Sequence, residues 1–188
     1  MIKNNSYSET ISNFNFSIQK SERDDYENCE FVNCIFSDIS QLSFINCLFK
    51  ACNLSNCNVN NSKLQDISFF DCKLLGINFS QAKDFAFTLF CKNCNLDYVS
   101  FDKKKLNKSV FENCKMNNAN FTQADLSKTK LINCDLLDAH FAQTNLAGVD
   151  FTRVQNFLIN PENNVIKKAK FLSQDLEKLL YQYDIIVE

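Results

Sequence analysis

The sequence predicts an all-β solenoid, and three observations carry that expectation. A large apolar residue recurs every five positions over most of the chain. Phe (19) and Cys (10) are over-represented among 188 residues, whereas Gly (2) and Pro (1) are scarce and Trp is absent. A period of five fits neither an α-helix nor a plain alternating strand. It fits a coil in which each five-residue side turns two side chains inward, one large and one small, before the chain rounds a corner.

Residues 1–25 read as an N-terminal cap. Met1 to Thr10 is polar, so no signal peptide is expected there. Phe14 and Phe16 are the expected plugs of the first coil, because a solenoid must close its ends. The repeat domain follows over 26–151. It opens with Tyr26, Phe31 and Phe36, then continues from Phe44 through Phe49, Leu54, Val59, Leu64, Phe69 and Leu74 to Phe79. From Leu96 to Phe151 the five-residue spacing holds without a miss. In this last block a mostly small or apolar residue stands two positions before each large one, and Lys104 is the exception. Interruptions fall near 37–43 and 80–95.

Ala119 to Ser127 (ANFTQADLS) and Cys72 to Ser80 (CKLLGINFS) resemble the A(D/N)LxX unit of the pentapeptide-repeat family. The resemblance covers roughly Tyr26 to Phe151. It implies a right-handed quadrilateral β-helix, with four pentapeptides per coil, and hence a second period of twenty. On that basis Phe49, Phe69, Phe101, Phe121 and Phe141 form one column, and Leu54, Leu74, Leu106, Leu126 and Leu146 the next. The alignment treats the stretch from Phe79 to Leu96 as one pentapeptide step plus an insertion of twelve. It treats Phe36 to Phe44 as one step plus three. The rival register, with two extra positions, mixes the all-Phe column and is less favoured.

Residues 152–188 read as a C-terminal cap and dimerisation segment. Asn160-Pro161-Glu162-Asn163-Asn164 is a turn, and Ala169-Lys170-Phe171 repeats the small-x-large pattern once. Ser173 is the expected N-cap of a short α-helix with Asp175 and Glu177 in its first turn. Leu176, Leu179, Leu180 and Tyr183 form an apolar stripe at helical spacing, followed by Ile185, Ile186 and Val187. Part of this covers the last coil, and the excess suits the pairing of two chains.

This tail and the two interruptions resemble the quinolone-resistance (Qnr-type) members that protect DNA gyrase. That resemblance implies a homodimer that mimics DNA at DNA gyrase or topoisomerase IV, with the interruptions tuning protection. The polar N-terminus and the lack of an apolar run long enough to span a membrane make the cytoplasm the expected compartment. The formal net charge of −2 gives no preference for nucleic acid or anionic membrane. Between Tyr26 and Phe151, 13 acidic and 12 basic side chains nearly balance.

Chemistry is weakly signalled. Cys29, Cys34, Cys47, Cys52, Cys57, Cys72, Cys94, Cys114 and Cys134 occupy inward small slots, where Cys packs as a small hydrophobe. Cys91, in the longer interruption, is the one cysteine outside those slots and the candidate exposed thiol. One histidine, His140, in an outward slot, and no Gly-rich loop leave no catalytic constellation, no metal or cofactor site and no small-molecule substrate in prospect. Lys103, Lys104, Lys105 and Lys108 read as a solvated run. Phe85, Phe87, Leu89, Phe90 and Lys92 are the expected partner-binding loop, unless they fold back to cover the rod. Fold does not fix function, so a structural scaffold or interaction module with an unrelated partner stands beside the topoisomerase reading.

Overall fold

The computed structural model describes residues 7–18 and 23–186. Met1 to Ser6 of the polar N-terminal segment and Val187 of the tail lie outside them.

One pentapeptide explains the coil. In Ala124-Asp125-Leu126-Ser127-Lys128, Ala124 and Leu126 are buried. Asp125 lies between them on the outside, and its Oδ1 accepts a hydrogen bond from the Ser127 N–H at 2.9 Å. This Asx turn starts the corner. Lys128 completes it with φ +68°. The same contact recurs at Asn53–Ser55, Asn78–Ser80, Asn120–Thr122 and Asp150–Thr152. Positive φ falls mostly on Asn and Asp, the non-glycine residues that best tolerate the left-handed region. Gly76 sits at φ +68°, and a Cβ there would lie 2.2 Å from Asn56 Oδ1, so that side chain would have to move aside.

Successive coils stack through parallel bridges on four faces, save at the bulge on face 4, where Gln65 bridges Phe87 in the antiparallel sense. Face 1 is a seven-stranded parallel sheet from Glu9–Ser12 to Lys130–Ile132. Its inward column is Ile11, Phe31, Phe49, Phe69, Cys91, Phe111 and Leu131. Face 2 stacks Phe16, Phe36, Leu54, Leu74, Leu96, Met116 and Leu136. Face 3 stacks Ile39, Val59, Phe79, Phe101, Phe121 and Phe141. Its last three ring-to-ring steps are 5.1, 5.6 and 5.2 Å, with planes nearly parallel. Face 4 carries Tyr26, Phe44 and Leu64, then Leu106, Leu126 and Leu146.

These columns correct the sequence expectation. Phe49 and Phe69 stack with Cys91 and Phe111, not with Phe101; Leu54 and Leu74 stack on Leu96, not on Leu106. On face 1 the step from Phe49 to Phe69 is a full coil of four pentapeptides. The step from Phe31 to Phe49 is two positions short of that, and the step from Phe69 to Cys91 is two positions over. The interruption at 80–95 therefore adds two positions, not twelve. The one near 37–43 is no insertion: Ile39 follows Phe36 by three positions, two short of the repeat. The physical reason lies in the strand Leu89–Lys92, which inverts the small-x-large order. Leu89 fills the small slot and Cys91 the large one, so volume is kept while the sequence pattern breaks. The Leu89 N–H donates to Ser109 Oγ of the next coil at 3.2 Å.

The ends also depart in detail. Glu9–Ser12 pairs with Cys29–Val32, so the N-terminal cap is itself part of a coil. Phe16 stacks on Phe36 with centroids 4.4 Å apart, and Phe14 packs against the core, as expected of plugs. The C-terminal segment winds as 3-10 turns, Ser173–Leu179 and Tyr181–Tyr183, rather than as an α-helix. Ser173 is not its cap; Leu172 precedes the first turn without a side-chain cap bond. In a 3-10 turn residues three apart eclipse, which sets Lys178 Nζ 2.7 Å from the buried Asp175 Oδ1.

Candidate functional site

The two extra positions produce a bulge between Phe79 and Leu89, built on a short 3-10 turn, Phe79–Gln81, whose Ser80 N–H donates to Asn78 Oδ1. Lys104 fastens it. Lys104 occupies the inward small slot of face 4, the place Ala124 takes one coil later, and is 1 % exposed. Its Nζ donates to the Ala82 carbonyl and to Asp84 Oδ1, the latter at 2.7 Å. It also lies 4.9 Å from the centre of the Phe87 ring, a cation–π distance. Lys104 thus corrects the solvated-run expectation, while Lys103, Lys105 and Lys108 are exposed. The signal in the sequence was its register: in the block from Leu96 to Phe151 it alone puts a charge in a small slot.

The bulge separates the expected loop residues. Phe85 is 77 % exposed. Phe87 is buried, edge-on to Phe79 at 6.0 Å. Leu89 is buried in face 1. Phe90 points outward on that face, with its ring 5.5 Å from Phe70. Lys92 pairs with Glu112 at 2.8 Å. Only Phe85 stands free at the crest, and Phe90 and Lys92 belong to the flat sheet beside it.

Cys91 corrects another expectation: it is a fully buried core rung rather than an exposed thiol. All ten cysteines are free and buried. Cys34, Cys52, Cys72, Cys94, Cys114 and Cys134 form one column at the corner between faces 1 and 2, and their thiols point at backbone carbonyls of the preceding coil. Burial pushes the Cys47 and Cys57 thiols up to about 12 and raises Cys91 well above the ordinary thiol range. Among the described residues no group of three or more His, Cys, Asp or Glu is arranged to hold a metal ion. His140 is exposed.

In the tail, Leu179 packs against the core and Leu180 is half-buried. Leu176, Tyr183, Ile185 and Ile186 are exposed, Ile186 by 89 %. Tyr183 Oη donates to Glu162 Oε1 at 2.5 Å, which holds the second 3-10 turn against the 160–164 turn. No helix among the described residues is long and apolar enough to cross a membrane.

Comparison with known proteins agrees with this geometry. The family profile described as "Pentapeptide repeat region" matches residues 88–160 and 104–179, and that described as "Pentapeptide repeats (8 copies)" matches 28–66. No curated protein sequence matches the chain. Among solved structures, full-length QnrB1, a plasmid-mediated fluoroquinolone resistance protein, is similar at 20 % identity and a TM-score of 0.50, over 94 % of this chain and 98 % of that one. HetL, a pentapeptide repeat protein involved in heterocyst differentiation regulation from the cyanobacterium Nostoc, is similar at 14 % identity and a TM-score of 0.40, over 86 % and 84 %. The repeat unit, the four stacked columns and the matching profiles make this chain a member of the pentapeptide-repeat family.

Proposed function

We propose that the chain is a binding rod rather than an enzyme, that it acts as a homodimer, and that its partner is a type II topoisomerase, DNA gyrase or topoisomerase IV, which it protects from quinolones. The observation that carries this reading is the bulge. A single exposed aromatic, Phe85, stands on a rigid coil whose base is fastened by Lys104, Asp84 and Phe87. An aromatic anchor held on a stiff scaffold binds at low entropic cost. The shared fold with QnrB1 along nearly the whole of both chains supports the choice of partner. The exposed Leu176, Tyr183, Ile185 and Ile186 supply an apolar end for the pairing of two rods. Acidic and basic side chains nearly balance along the repeats, so contact rests on shape and on Phe85 more than on imitation of DNA charge.

The test is a gyrase supercoiling assay with and without a fluoroquinolone. The chain is expected to restore supercoiling in the presence of the drug, and Phe85→Ser to lose that effect while folding normally. The near-neutral rod favours a second reading, a scaffold for an unrelated protein. Absence of any effect on gyrase and on topoisomerase IV would select it.

A further inference from the structure

The outside of face 1 differs from the other three. Down face 3 the outward positions read Asp38, Asn58, Asn78, Ser100 and Asn120. Face 1 instead presents Val32, Leu48, Phe70, Phe90, Val110 and Ile132 in two outward columns. All six are half-buried at most. Charge along this face is ordered too. Glu30, Asp66 and Asp71 lie toward the N-terminal end with Lys50 among them, and Lys108 and Lys130 toward the C-terminal end with Glu112 among them, while Lys128 sits at the corner two residues before Lys130. Lys108, Lys128 and Lys130 have no ion-pair partner among the described residues.

We propose that this face docks on the same face of a second copy, with the rods antiparallel and the two-fold axis between the rows of Phe70 and Phe90. Such an axis lies along the strands, so each outward column meets its own reverse. In the first column Glu30 meets Lys130 and Leu48 meets Val110. In the second, Val32 meets Ile132, Lys50 meets Glu112, and Phe70 meets Lys92. Charge meets opposite charge, apolar meets apolar, and a cation meets a ring; only Ser68 against Phe90 is neutral to the match. The register is specific. Half a row in one direction sets Lys92 against itself, Leu48 on Lys130 and Lys50 on Ile132. Half a row in the other sets Lys50 against Lys92, Glu30 on Val110 and Val32 on Glu112. Neither a head-to-head alignment of parallel rods nor a displaced one cancels the charge gradient.

Six rows at ~4.8 Å span roughly 29 Å, and strands of about four residues make the face ~13 Å wide. That footprint falls short of the ~1,200 Å² total typical of a stable complex. The pairing is therefore weak, concentration-dependent and sensitive to salt. It uses neither the tail nor Phe85, and it stands independently of the topoisomerase reading.

Zero-length carbodiimide cross-linking of the full-length chain at high concentration, with linked peptides identified by mass spectrometry, tests it. Within one rod Glu30 and Lys130 are five rows apart, ~24 Å, and Lys50 and Glu112 three rows, ~14 Å, beyond the reach of such a link. Glu30–Lys130 and Lys50–Glu112 links are expected. The Lys50–Glu112 link should fall roughly tenfold in Lys130→Glu, where two symmetric pairs become repulsive, and recover in the Glu30→Lys/Lys130→Glu double variant. Links confined to the C-terminal segments, or a Lys50–Glu112 yield that ignores Lys130→Glu, would overturn the proposal.

Discussion

Asn and Asp do two jobs in this rod. Immediately before a large core residue they close an Asx turn; at corners they adopt positive φ. One corner also forms a ladder of side-chain amides. Asn93 Nδ2 donates to Asp71, Asn113 to Asn93 and Asn133 to Asn113, while Arg153 Nε donates to Asn133 Oδ1. An acid at one end and a cation at the other match its direction. Asn113→Ala should cost ~1–2 kcal/mol, from two lost hydrogen bonds and the loss of an Asn side chain that tolerates the left-handed region better than Ala does. Lys104 is the charged residue on which the core most depends. Lys104→Ala should cost ~2–3 kcal/mol in chemical denaturation, because stem packing and charge-assisted bonds go together. Lys104→Met should cost less, and a loss below about 0.5 kcal/mol for Ala, the range of an ordinary surface change, would contradict the clasp. The thiols give a pH signature. Cys47 and Cys57 are raised to about 12 in the fold by burial, so the folded state holds protons the unfolded chain releases near its ordinary thiol value of 9.0. Stability should be intact below pH ~9 and decline as pH rises toward ~12, in unfolding curves taken at increasing pH.

At the scale of the element, the bulge settles what the longer interruption is. Leu89–Lys92 is a strand of the seven-stranded sheet, and Leu89 and Cys91 are core. Replacing 84–93 by a tight turn should therefore remove a rung and unfold the middle of the rod. Phe85→Ser should change stability by no more than ~0.5 kcal/mol, as for an exposed side chain without partners. The face 3 ladder sets the opposite extreme. Phe101→Ala opens a cavity between the rings of Phe79 and Phe121 and should cost ~3–5 kcal/mol by urea denaturation. The inward position of every phenylalanine in that ladder was legible from the five-residue period alone. The internal order of the bulge was not, because its strand puts the large side chain in the small slot, and because a buried lysine of the next coil completes it. The tail stripe was legible as apolar, but its helix type was not. The winding accompanies tertiary contacts that the spacing does not show: Lys178 reaches the buried Asp175, and Leu179 rests on the core.

Over the whole molecule, two irregularities compensate. The chain drops two positions at Phe36–Ile39 and gains two between Phe79 and Leu89, so one short and one long coil sit among regular ones. A five-residue period shows that the chain coils but not which face a residue lies on, since every side has the same length. Only column composition distinguishes faces, and choosing a uniform Phe column selected the wrong register. The true face 1 column mixes Ile, Phe, Cys and Leu, which a stacked core tolerates when neighbouring slots make up the volume. The tail acts at this scale too: with Leu176, Tyr183, Ile185 and Ile186 joining two rods, the full-length protein should sediment as a dimer and a chain lacking 173–188 as a monomer, and a monomeric full-length protein would contradict that role. The central claim is that the rod runs unbroken through 80–95, and the rate at which the Cys91 thiol reacts in the native protein tests it most directly. With site-resolved mass spectrometry, a continuous rod predicts that Cys91 reacts as slowly as Cys94, both only as the protein unfolds. Rapid labelling of Cys91 while Cys94 stays protected would mean a free-standing loop, and would contradict the account.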